Sequence, residues 1–522
     1  MDYKHSKPVK QAKKGLFHML FSRVAIVLVL MILQMVSFYA MVTYFQEYEV
    51  YIRAVLMILE IVSVLSIINS GSNPAFKITW ILVILVLPFF GILFYVFMKI
   101  MPGAGAIKRR LNDLTIQTEA YMRQDEDTLQ ALRLSKPANA NLAYYLGKQL
   151  SFPVHRNTSV TYFPTGMDKY EELKNQLRKA ESFIFMEYFI IEEGEMWNSI
   201  LDILADKVKE GVEVRFLYDG TCSMMKVPFG YDKKIKKLGI KTKIFSPIRP
   251  IISSYQNNRD HRKICVIDGR VGFTGGVNLA DEYINVTHPF GYWKDTAVML
   301  EGEAVQNLTI MFLQMWNITQ RRAEQYSKYL TPKSSDIKRE LGYVLPYGDS
   351  PYDHENTGEQ VYFHVLNHAK KYVHIMTPYL ILDNEMITAL TFAAKCGIEV
   401  IIIMPHIPDK WYAFILAKTY YRELIEAGVQ IYEFTPGFVH AKVFVSDDDT
   451  ATVGTVNLDY RSLFHHFECG AFIYNNPVVW EIERDFQNTL KRCEQITLQQ
   501  LKSRSVVEKV VGSVLRLIAP LM

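Results

Sequence analysis

Two short sets of polar and small residues recur with the same spacing in this 522-residue chain. In each set a Lys follows a His by two residues, an Asp by seven, a Gly by 14 and an Asn by 17. The sets are His261, Lys263, Asp268, Gly275 and Asn278, and His440, Lys442, Asp447, Gly454 and Asn457. A chance match of this kind is expected in about one in ten thousand chains, so two copies indicate an internal duplication.

The residue types of these motifs suit chemistry on a phosphodiester. Residues two apart on a strand point to the same side, so the His and Lys of each copy are predicted to face one space. Two copies packed together would supply two ammonium groups for the anion and two imidazoles that exchange protons near neutral pH. Asn278 and Asn457 follow small residues that let the backbone approach closely, and both are predicted to bind the substrate phosphate.

The paired histidines predict a two-step transfer through a covalent phosphohistidine. One neutral imidazole attacks phosphorus, while the other protonates the departing alkoxide and then deprotonates the incoming alcohol. The motif positions alone do not decide which His has which role. Asp295 and Glu468, 34 and 28 residues after their respective His, are the candidates to orient the two rings. Nothing in the motifs supplies a carboxylate cage for Mg²⁺, so neither a metal nor another cofactor is expected.

Two similar segments, residues 180–219 and 369–404, are predicted to position these motifs. Each has an apolar run of strand length, a helix ended by Gly211 or Gly397, and a second apolar run, which is the pattern of a βαβ unit in a buried sheet. We therefore predict an α/β fold of two repeats, 156–330 and 331–500, with central mixed sheets related by a pseudo-twofold axis. Linker helices are expected at 102–155. Residues 501–522 predict an amphipathic helix that either lies on a bilayer or caps the catalytic body.

Residues 1–101 are predicted to anchor the chain in a membrane through two or three transmembrane helices. Val24–Phe45 and Ile78–Met98 are uncharged runs of 22 and 21 residues, long enough to cross a bilayer. Between them, Val50–Ile68 is apolar but contains Arg53 and Glu60, so we expect it to lie in the interface or to re-enter. Basic residues flank the first and third segments. The positive-inside rule therefore predicts a cytoplasmic catalytic part, which requires an even number of crossings.

The composition excludes several other classes of protein. Lys and Arg exceed Asp and Glu by 58 − 54 = 4, which excludes a polybasic coat for nucleic acid, and no nucleic-acid partner is expected. The five cysteines are odd in number and are never spaced as C-x-x-C. This argues against a disulfide framework or a paired-cysteine zinc site.

The doubled His-x-Lys-x4-Asp pattern resembles the phospholipase D superfamily. The segments NSGSNPAFKITWILVILVLPFFG, FGYWKDT and NLDYRSLFHHFE, with the N-terminal apolar runs, are similar to the bacterial cardiolipin synthase family within it. The resemblance covers nearly the whole chain. It implies phosphatidyl transfer between two phosphatidylglycerol molecules, giving cardiolipin and glycerol, in a bacterial cell membrane with anionic phospholipids as partners.

The resemblance also implies roles for single residues. His261 is the expected nucleophile, His440 the acid and base, and Asp268 and Asp447 structural supports of the motifs. One departure is His465-His466, where similar proteins usually have Asn before Phe-Glu, and a packing role is expected for both. Two alternatives stay open: a hydrolase or phosphodiesterase of the same superfamily, and a membrane scaffold without enzymatic activity. The oligomeric state also stays open, a dimer included.

Overall fold

The computed structural model describes residues 32–36, 39–40, 43–99, 104–228, 230–247, 258–320, 324–330 and 341–521. The chain divides into two compact units. The smaller unit contains Met1–Pro102, and the larger contains Gly103–Ile248 and Gln256–Pro520.

The smaller unit includes the helices α1 (Glu49–Ile68), α2 (Pro74–Val86) and α3 (Pro88–Lys99), and the 3-10 helix Gln46–Tyr48 precedes α1. Among the described residues, the 23-residue segment Gln46–Ile68 is the one helical segment long and apolar enough to cross a membrane. The sequence predicted an interfacial or re-entrant segment here because of Arg53 and Glu60. Arg53 pairs at 2.5 Å with Glu49, which lies in the first turn of α1. Most of the predicted span Val24–Phe45 lies outside the described residues.

The predicted span Ile78–Met98 is wrong as a single helix. Pro88 has no backbone N–H to donate and disfavours a helical conformation at Leu87, where α2 ends and from which α3 turns back. The rings of Trp80 and Tyr95 are consequently 5.3 Å apart. Each helix is only about 20 Å long, shorter than a bilayer core. The segment therefore forms a helical hairpin.

The larger unit begins with three helices that bury leucines against its body: α4 (Ala104–Thr118), α5 (Glu126–Ser135) and α6 (Pro137–Leu150). A first sheet follows. Its strands are β1 (Thr158–Phe163), β2 (Phe183–Tyr188), β3 (Glu213–Asp219), β4 (Lys241–Phe245), β5 (Ile264–Ile267), β6 (Val271–Gly275) and β8 (Ala297–Gly302), in the order β1-β8-β6-β5-β2-β3-β4. The short strand β7 (Tyr292–Lys294) lies outside this sheet. Its helices are α7 (Gly166–Arg178), α8 (Glu195–Lys209), α9 (Gly220–Met225), α10 (Tyr231–Lys236) and α11 (Val305–Asn317).

The second sheet repeats the first. Its strands are β9 (Tyr343–Asp349), β10 (Tyr372–Met376), β11 (Glu399–Pro405), β12 (Gln430–Phe434), β14 (Val443–Ser446), β15 (Thr450–Gly454), β16 (Glu468–Tyr474) and β17 (Cys493–Gln495). The order β17-β12-β11-β10-β14-β15-β16-β9 matches the first sheet strand for strand, with β17 added at one edge. Strand β13 (Gly437–Val439) pairs with β7 of the first repeat instead. The helices are α12 (Thr357–His368), α13 (Asn384–Lys395), α14 (Trp411–Glu426), α15 (Tyr460–Phe464), α16 (Val478–Leu490), α17 (Leu498–Lys502) and α18 (Val506–Ile518).

Both sheets are mixed, and the predicted βαβ units are present as β2-α8-β3 and β10-α13-β11, whose strands pair in parallel. One continuous hydrophobic cluster joins the repeats. Phe185 and Val266 of the first sheet and Val443 and Val453 of the second belong to it. The predicted α/β fold of two similar halves is therefore confirmed.

Candidate active site

The sequence predicted that the His of each motif lies on a strand, but each His lies just before one. Strand β5 begins at Ile264 and β14 at Val443, after the His and Lys of each motif. The preceding segments extend to the other repeat. The His261 N–H donates to the Phe467 carbonyl at 2.9 Å, and the His440 N–H donates to the Lys294 carbonyl at 2.7 Å.

This exchange of segments brings each His to a carboxylate of the opposite repeat. The residues after Phe467 and Lys294 are Glu468 and Asp295. His261 Nδ1 lies 2.8 Å from Glu468 Oε1, and His440 Nδ1 lies 2.7 Å from Asp295 Oδ2. The sequence identified both carboxylates but associated each with the His of its own repeat, and that pairing is wrong. The observed pairing could not be predicted from the strand register within a repeat, because it depends on how the two sheets pack.

Both carboxylates are fully buried and held by further hydrogen bonds. Glu468 accepts from Ser462 Oγ at 2.6 Å and from the Thr455 hydroxyl. Asp295 accepts from the Thr296 N–H at 2.8 Å. A Cβ at Gly276, the position that corresponds to Thr455, would lie 2.0 Å from Asp295 Oδ1. Glycine there is what allows the Asp295 carboxylate to approach.

Two buried lysines complete the site. Lys263 Nζ donates to the His261 carbonyl at 2.5 Å, and Lys442 Nζ donates to the His440 carbonyl. An ammonium has three N–H donors, so each lysine retains donors for an anion. Burial lowers the pKa of Lys263 to about 8 and that of Lys442 to about 7, although Glu468 and Asp295 oppose the shift.

The two histidines are neutral near pH 7. Burial, followed by the charges of Lys263 and Lys442, lowers the pKa of His261 well below its ordinary value, and the same causes act on His440. Burial also raises the pKa of Asp295 to about 6 and of Glu468 to about 7. With Nδ1 directed to a carboxylate, Nε2 of each ring is the nitrogen available for chemistry. The lysine of each motif perturbs the histidines of both, so the two motifs share one electrostatic environment.

Asn278 and Asn457 lie beside this site in different states. Asn278 Oδ1 accepts from the Ile190 N–H at 3.0 Å, and its Nδ2 donates to the Tyr283 hydroxyl at 2.8 Å. The Tyr283 ring in turn packs edge-on against His440. Asn457 Oδ1 is buried without a hydrogen-bond partner. Phosphate binding by either amide stays a prediction.

Asp268 and Asp447 lie at the opposite ends of their strands from the histidines. Asp268 accepts from the N–H groups of Glu181, Ser182 and Phe183, each at 2.8 Å. Asp447 accepts in the same way from Lys370, Lys371 and Tyr372 at 2.7–3.1 Å. Both have positive φ, 53° and 54°. These contacts are those of structural supports, which fasten the turn after β5 or β14 to the start of β2 or β10.

Sequence reasoning missed or misjudged several neighbours of the histidines. The Phe189 ring lies 5.0 Å from His261, and Trp293 lies 5.3 Å from His440. His466, for which a packing role was favoured over that of an extra donor at the site, is buried with its ring 5.8 Å from that of His261, and its Nδ1 has no hydrogen-bond partner. Its departure from the family pattern was the one signal that could have identified it. Ser462, which holds Glu468, gave no such signal.

An α/β chain in which two His-Lys motifs and their reciprocal carboxylates meet at one site has the architecture of the phospholipase D superfamily. Residues 173–316 and 362–490 match the family model "Cardiolipin synthase, PLD-like domain", and residues 58–98 match "Phospholipase D-nuclease N-terminal". The chain belongs to the cardiolipin synthase family and is a phosphatidyltransferase.

Individual relatives agree with this assignment. A cardiolipin synthase of Halalkalibacterium halodurans is 34% identical over 86% of this chain and 90% of its own length. An uncharacterized protein of Streptococcus mutans is 53% identical over 87% of this chain and 98% of its own. The crystal structure of phosphatidylserine synthase from Haemophilus influenzae is 15% identical, with a TM-score of 0.57 over 74% of this chain and 99% of the other. That similarity supports the fold alone.

Proposed function

We propose that the chain transfers the phosphatidyl group of one phosphatidylglycerol to a second, at a bacterial cell membrane, and releases cardiolipin and glycerol. The observation that carries the proposal is the reciprocal orientation of two histidines by carboxylates of the opposite repeats. Because each Nδ1 is directed to a carboxylate, the Nε2 atoms of both histidines and the ammonium groups of both lysines are available to one substrate phosphate. We further infer that an approximate twofold axis relates the repeats, since each exchanges the same segment with the other.

In the first step, neutral His261 attacks phosphorus through Nε2 and forms a phosphohistidine. Glu468 holds the Nδ1 proton and stabilises the positive charge that develops on the ring. The P–O bond to glycerol breaks, and His440 protonates the leaving oxygen. In the second step, His440 removes the proton from a hydroxyl of the second phosphatidylglycerol. That oxygen attacks phosphorus, the P–N bond breaks, and His261 is free again.

The arrival of the substrate explains how His440 becomes an acid. Before substrate binds, both rings are neutral because burial and the two ammonium groups disfavour a third positive charge. A phosphodiester brings one negative charge between Lys263 and Lys442 and raises the pKa of His440 toward neutrality. The lysines, assisted by Asn278 and Asn457, stabilise the oxygens of the five-coordinate state.

The membrane arrangement is part of the proposal. Segment Gln46–Ile68 crosses the bilayer, and the N-terminal segment Val24–Phe45 crosses a second time. The hairpin of α2 and α3 re-enters from the cytoplasmic side. Two crossings leave the catalytic repeats in the cytoplasm, consistent with Lys108, Arg109 and Arg110 at the start of the larger unit.

The test is incubation of the purified full-length protein with phosphatidylglycerol labelled in the phosphate, followed by quenching with SDS at neutral pH and separation of the lipids from the denatured protein. We expect cardiolipin and glycerol in equal amounts and a labelled, acid-labile protein adduct. His261→Ala is expected to abolish both, whereas His368→Ala, an exposed histidine on α12, leaves both unchanged. Phosphatidic acid without cardiolipin would contradict the transfer reaction, and an adduct that survives in His261→Ala would contradict the nucleophile.

A further inference from the structure

The C-terminal helix α18 is docked on α14 through a narrow strip of contacts. Gly512 is buried there, and a Cβ at this position would lie 2.7 Å from Thr419 Cγ2. The Arg516 guanidinium lies 4.5 Å from the centre of the Tyr420 ring and 3.5 Å from a Glu423 oxygen. The helix is therefore a fixed part of the larger unit.

The opposite side of α18 is apolar and uncovered. Six side chains there are between 42% and 74% exposed: Val506, Val507, Val510, Val514, Leu517 and Ile518. At 3.6 residues per turn they fill a sector of about 120°, and Val510 and Val514 lie about 160° around the axis from Gly512. These six residues are called the outward stripe below. A docked surface helix needs one apolar side, so the outward stripe is surplus to the fold, and such patches mark interaction sites.

Charge and neighbouring residues indicate what covers the outward stripe. From Leu498 to Ile518 the chain has four basic residues and one acidic residue, a net charge of 4 − 1 = +3. Three of the basic residues, Lys502, Lys509 and Arg516, are exposed. An aliphatic stripe with cations beside it is typical of helices that lie in the interface of an anionic bilayer. A protein partner would not require this excess of positive charge.

The supporting helix connects this surface to the catalytic site. At the start of α14, Trp411 is 65% exposed, and tryptophan is enriched where membranes meet water. The preceding residue, Lys410, is close enough to the site to contribute to the lowered pKa of both His261 and His440. One helix thus begins at the site and supports the outward stripe.

We propose that the outward stripe lies in the interfacial layer of an anionic lipid bilayer and holds the mouth of the catalytic site at the membrane surface. This surface is distinct from the N-terminal segments. The proposal concerns where the larger unit binds and does not depend on which reaction it catalyses.

The test uses the full-length protein reconstituted in phosphatidylserine–phosphatidylcholine vesicles. A fluorophore sensitive to polarity is attached to Val510→Cys in a Cys396→Ser background, since Cys396 is the exposed native thiol among the described residues. Quenchers are attached to the lipid acyl chains. We expect a blue shift and at least twofold quenching at position 510, weaker in phosphatidylcholine alone. A label on Lys209→Cys, at the exposed end of α8, is the matched control and is expected to stay unquenched. Equal, negligible quenching at both positions would overturn the proposal.

A second variant tests a different occupant, another copy of this chain. Val507→Glu, Val510→Glu and Val514→Glu are combined, and the thermal unfolding midpoint in detergent checks the fold. Since these side chains face away from α14, we expect that midpoint and the oligomeric state to stay unchanged, while quenching of a label at Val506→Cys is lost. Conversion of a dimer to a monomer in detergent, with no lipid quenching in the parent protein, would instead assign the outward stripe to self-association.

Discussion

The two buried carboxylates of the site are not interchangeable, because each serves a histidine with a different task. Glu468 lies against His261 and is held by Ser462 and Thr455, whereas Asp295 lies against His440. In the proposed reaction the first pair forms the bond to phosphorus and the second pair moves protons. A substrate that needs no proton on its leaving group should separate the two roles.

We predict opposite behaviour of Glu468→Gln and Asp295→Asn with phosphatidyl-p-nitrophenol as donor. Nitrophenolate departs without a proton, so Asp295→Asn should give a burst of about one nitrophenolate per protein and then stall. Glu468→Gln should give no burst, because His261 is then held in the wrong tautomer. With phosphatidylglycerol both variants should lose about 10²-fold or more in turnover. Stopped-flow absorbance measures the burst, and Asp206→Asn on the exposed face of α8 is the control. Equal bursts in both variants would refute the division of roles.

Lys442 illustrates a cost in stability that the site requires. Burial lowers its pKa to about 7. In the unfolded chain a lysine has a pKa near 10.4, so between about pH 7 and 10 the unfolded state binds more protons and stability rises with pH. Below about pH 7 the whole cost of the buried charge is present.

We therefore predict that Lys442→Met abolishes transfer yet raises the thermal unfolding midpoint, by about 3 °C or more below pH 7. The gain should shrink as the pH approaches about 10, where the unfolded lysine also loses its proton. Differential scanning fluorimetry in detergent across this range measures the effect, and the exposed Lys237→Met is the control. A midpoint that falls at low pH would show that the ammonium stabilises the fold.

The sequence predicted candidate site residues but not their pairing. The repeated spacing identified both His-Lys motifs, and Asp295 and Glu468 were candidates to orient the two rings. The partner of each His depends on strand β13 and the segment before β5 crossing to the other repeat, and no local pattern encodes that exchange.

At the scale of elements, the two motif aspartates show that a residue repeated at the same spacing in both motifs need not take part in catalysis. Asp268 adopts φ 53° and accepts three backbone N–H bonds at the start of β2. Seven residues of extended chain, about 20 Å, separate it from His261. Asp268 can therefore affect turnover only indirectly, by holding β5 in position.

Asp268→Ala is expected to destabilise the protein by about 2–4 kcal/mol, because three N–H groups lose their acceptor and alanine tolerates positive φ poorly. Asp268→Asn should lose about half as much, since one amide oxygen still accepts and asparagine adopts this conformation. Urea unfolding in detergent measures both. At low temperature, where each variant is still folded, the turnover rate should depend on pH as it does in the parent protein. A shifted pH dependence of turnover would indicate a role in proton transfer.

The N-terminal elements show where apolar length misleads. Ile78–Met98 satisfies a length criterion for a span, yet Pro88 was the stronger signal, because it ends α2 at Leu87 and starts α3. Arg53 and Glu60 argued against a crossing by Val50–Ile68, and in the structure Arg53 pairs with Glu49 one turn earlier on α1. The repeat elements were easier to predict because continuous apolar runs, a helix and a terminal glycine occur twice in the same order.

At the scale of the whole molecule, the two repeats of the larger unit are joined by backbone, side-chain and hydrophobic contacts as well as by the candidate active site. Backbone hydrogen bonds cross at His261 and His440, and β7 pairs with β13. Asp485 of the second repeat accepts from Lys294 at 2.6 Å and from the Tyr162 hydroxyl at 2.6 Å. The hydrophobic cluster is also continuous between the sheets. Neither repeat can lose its structure without exposing buried polar groups of the other.

The repeats should consequently unfold as one cooperative unit. We predict that Asp268→Ala, a change in the first repeat, lowers the hydrogen-exchange protection of β10 and β14 in the second repeat as much as that of β2 and β5. The slowest amides in all four strands exchange only through global unfolding. The free energy of exchange of each should therefore fall by the same amount as the free energy of unfolding measured in urea. Asp447→Ala is the reciprocal variant and should affect the first repeat equally. A loss of protection confined to the mutated repeat would mean that each repeat folds independently. The contacts of Glu468 and Asp295 with the histidines of the opposite repeats would then connect two separately folded domains.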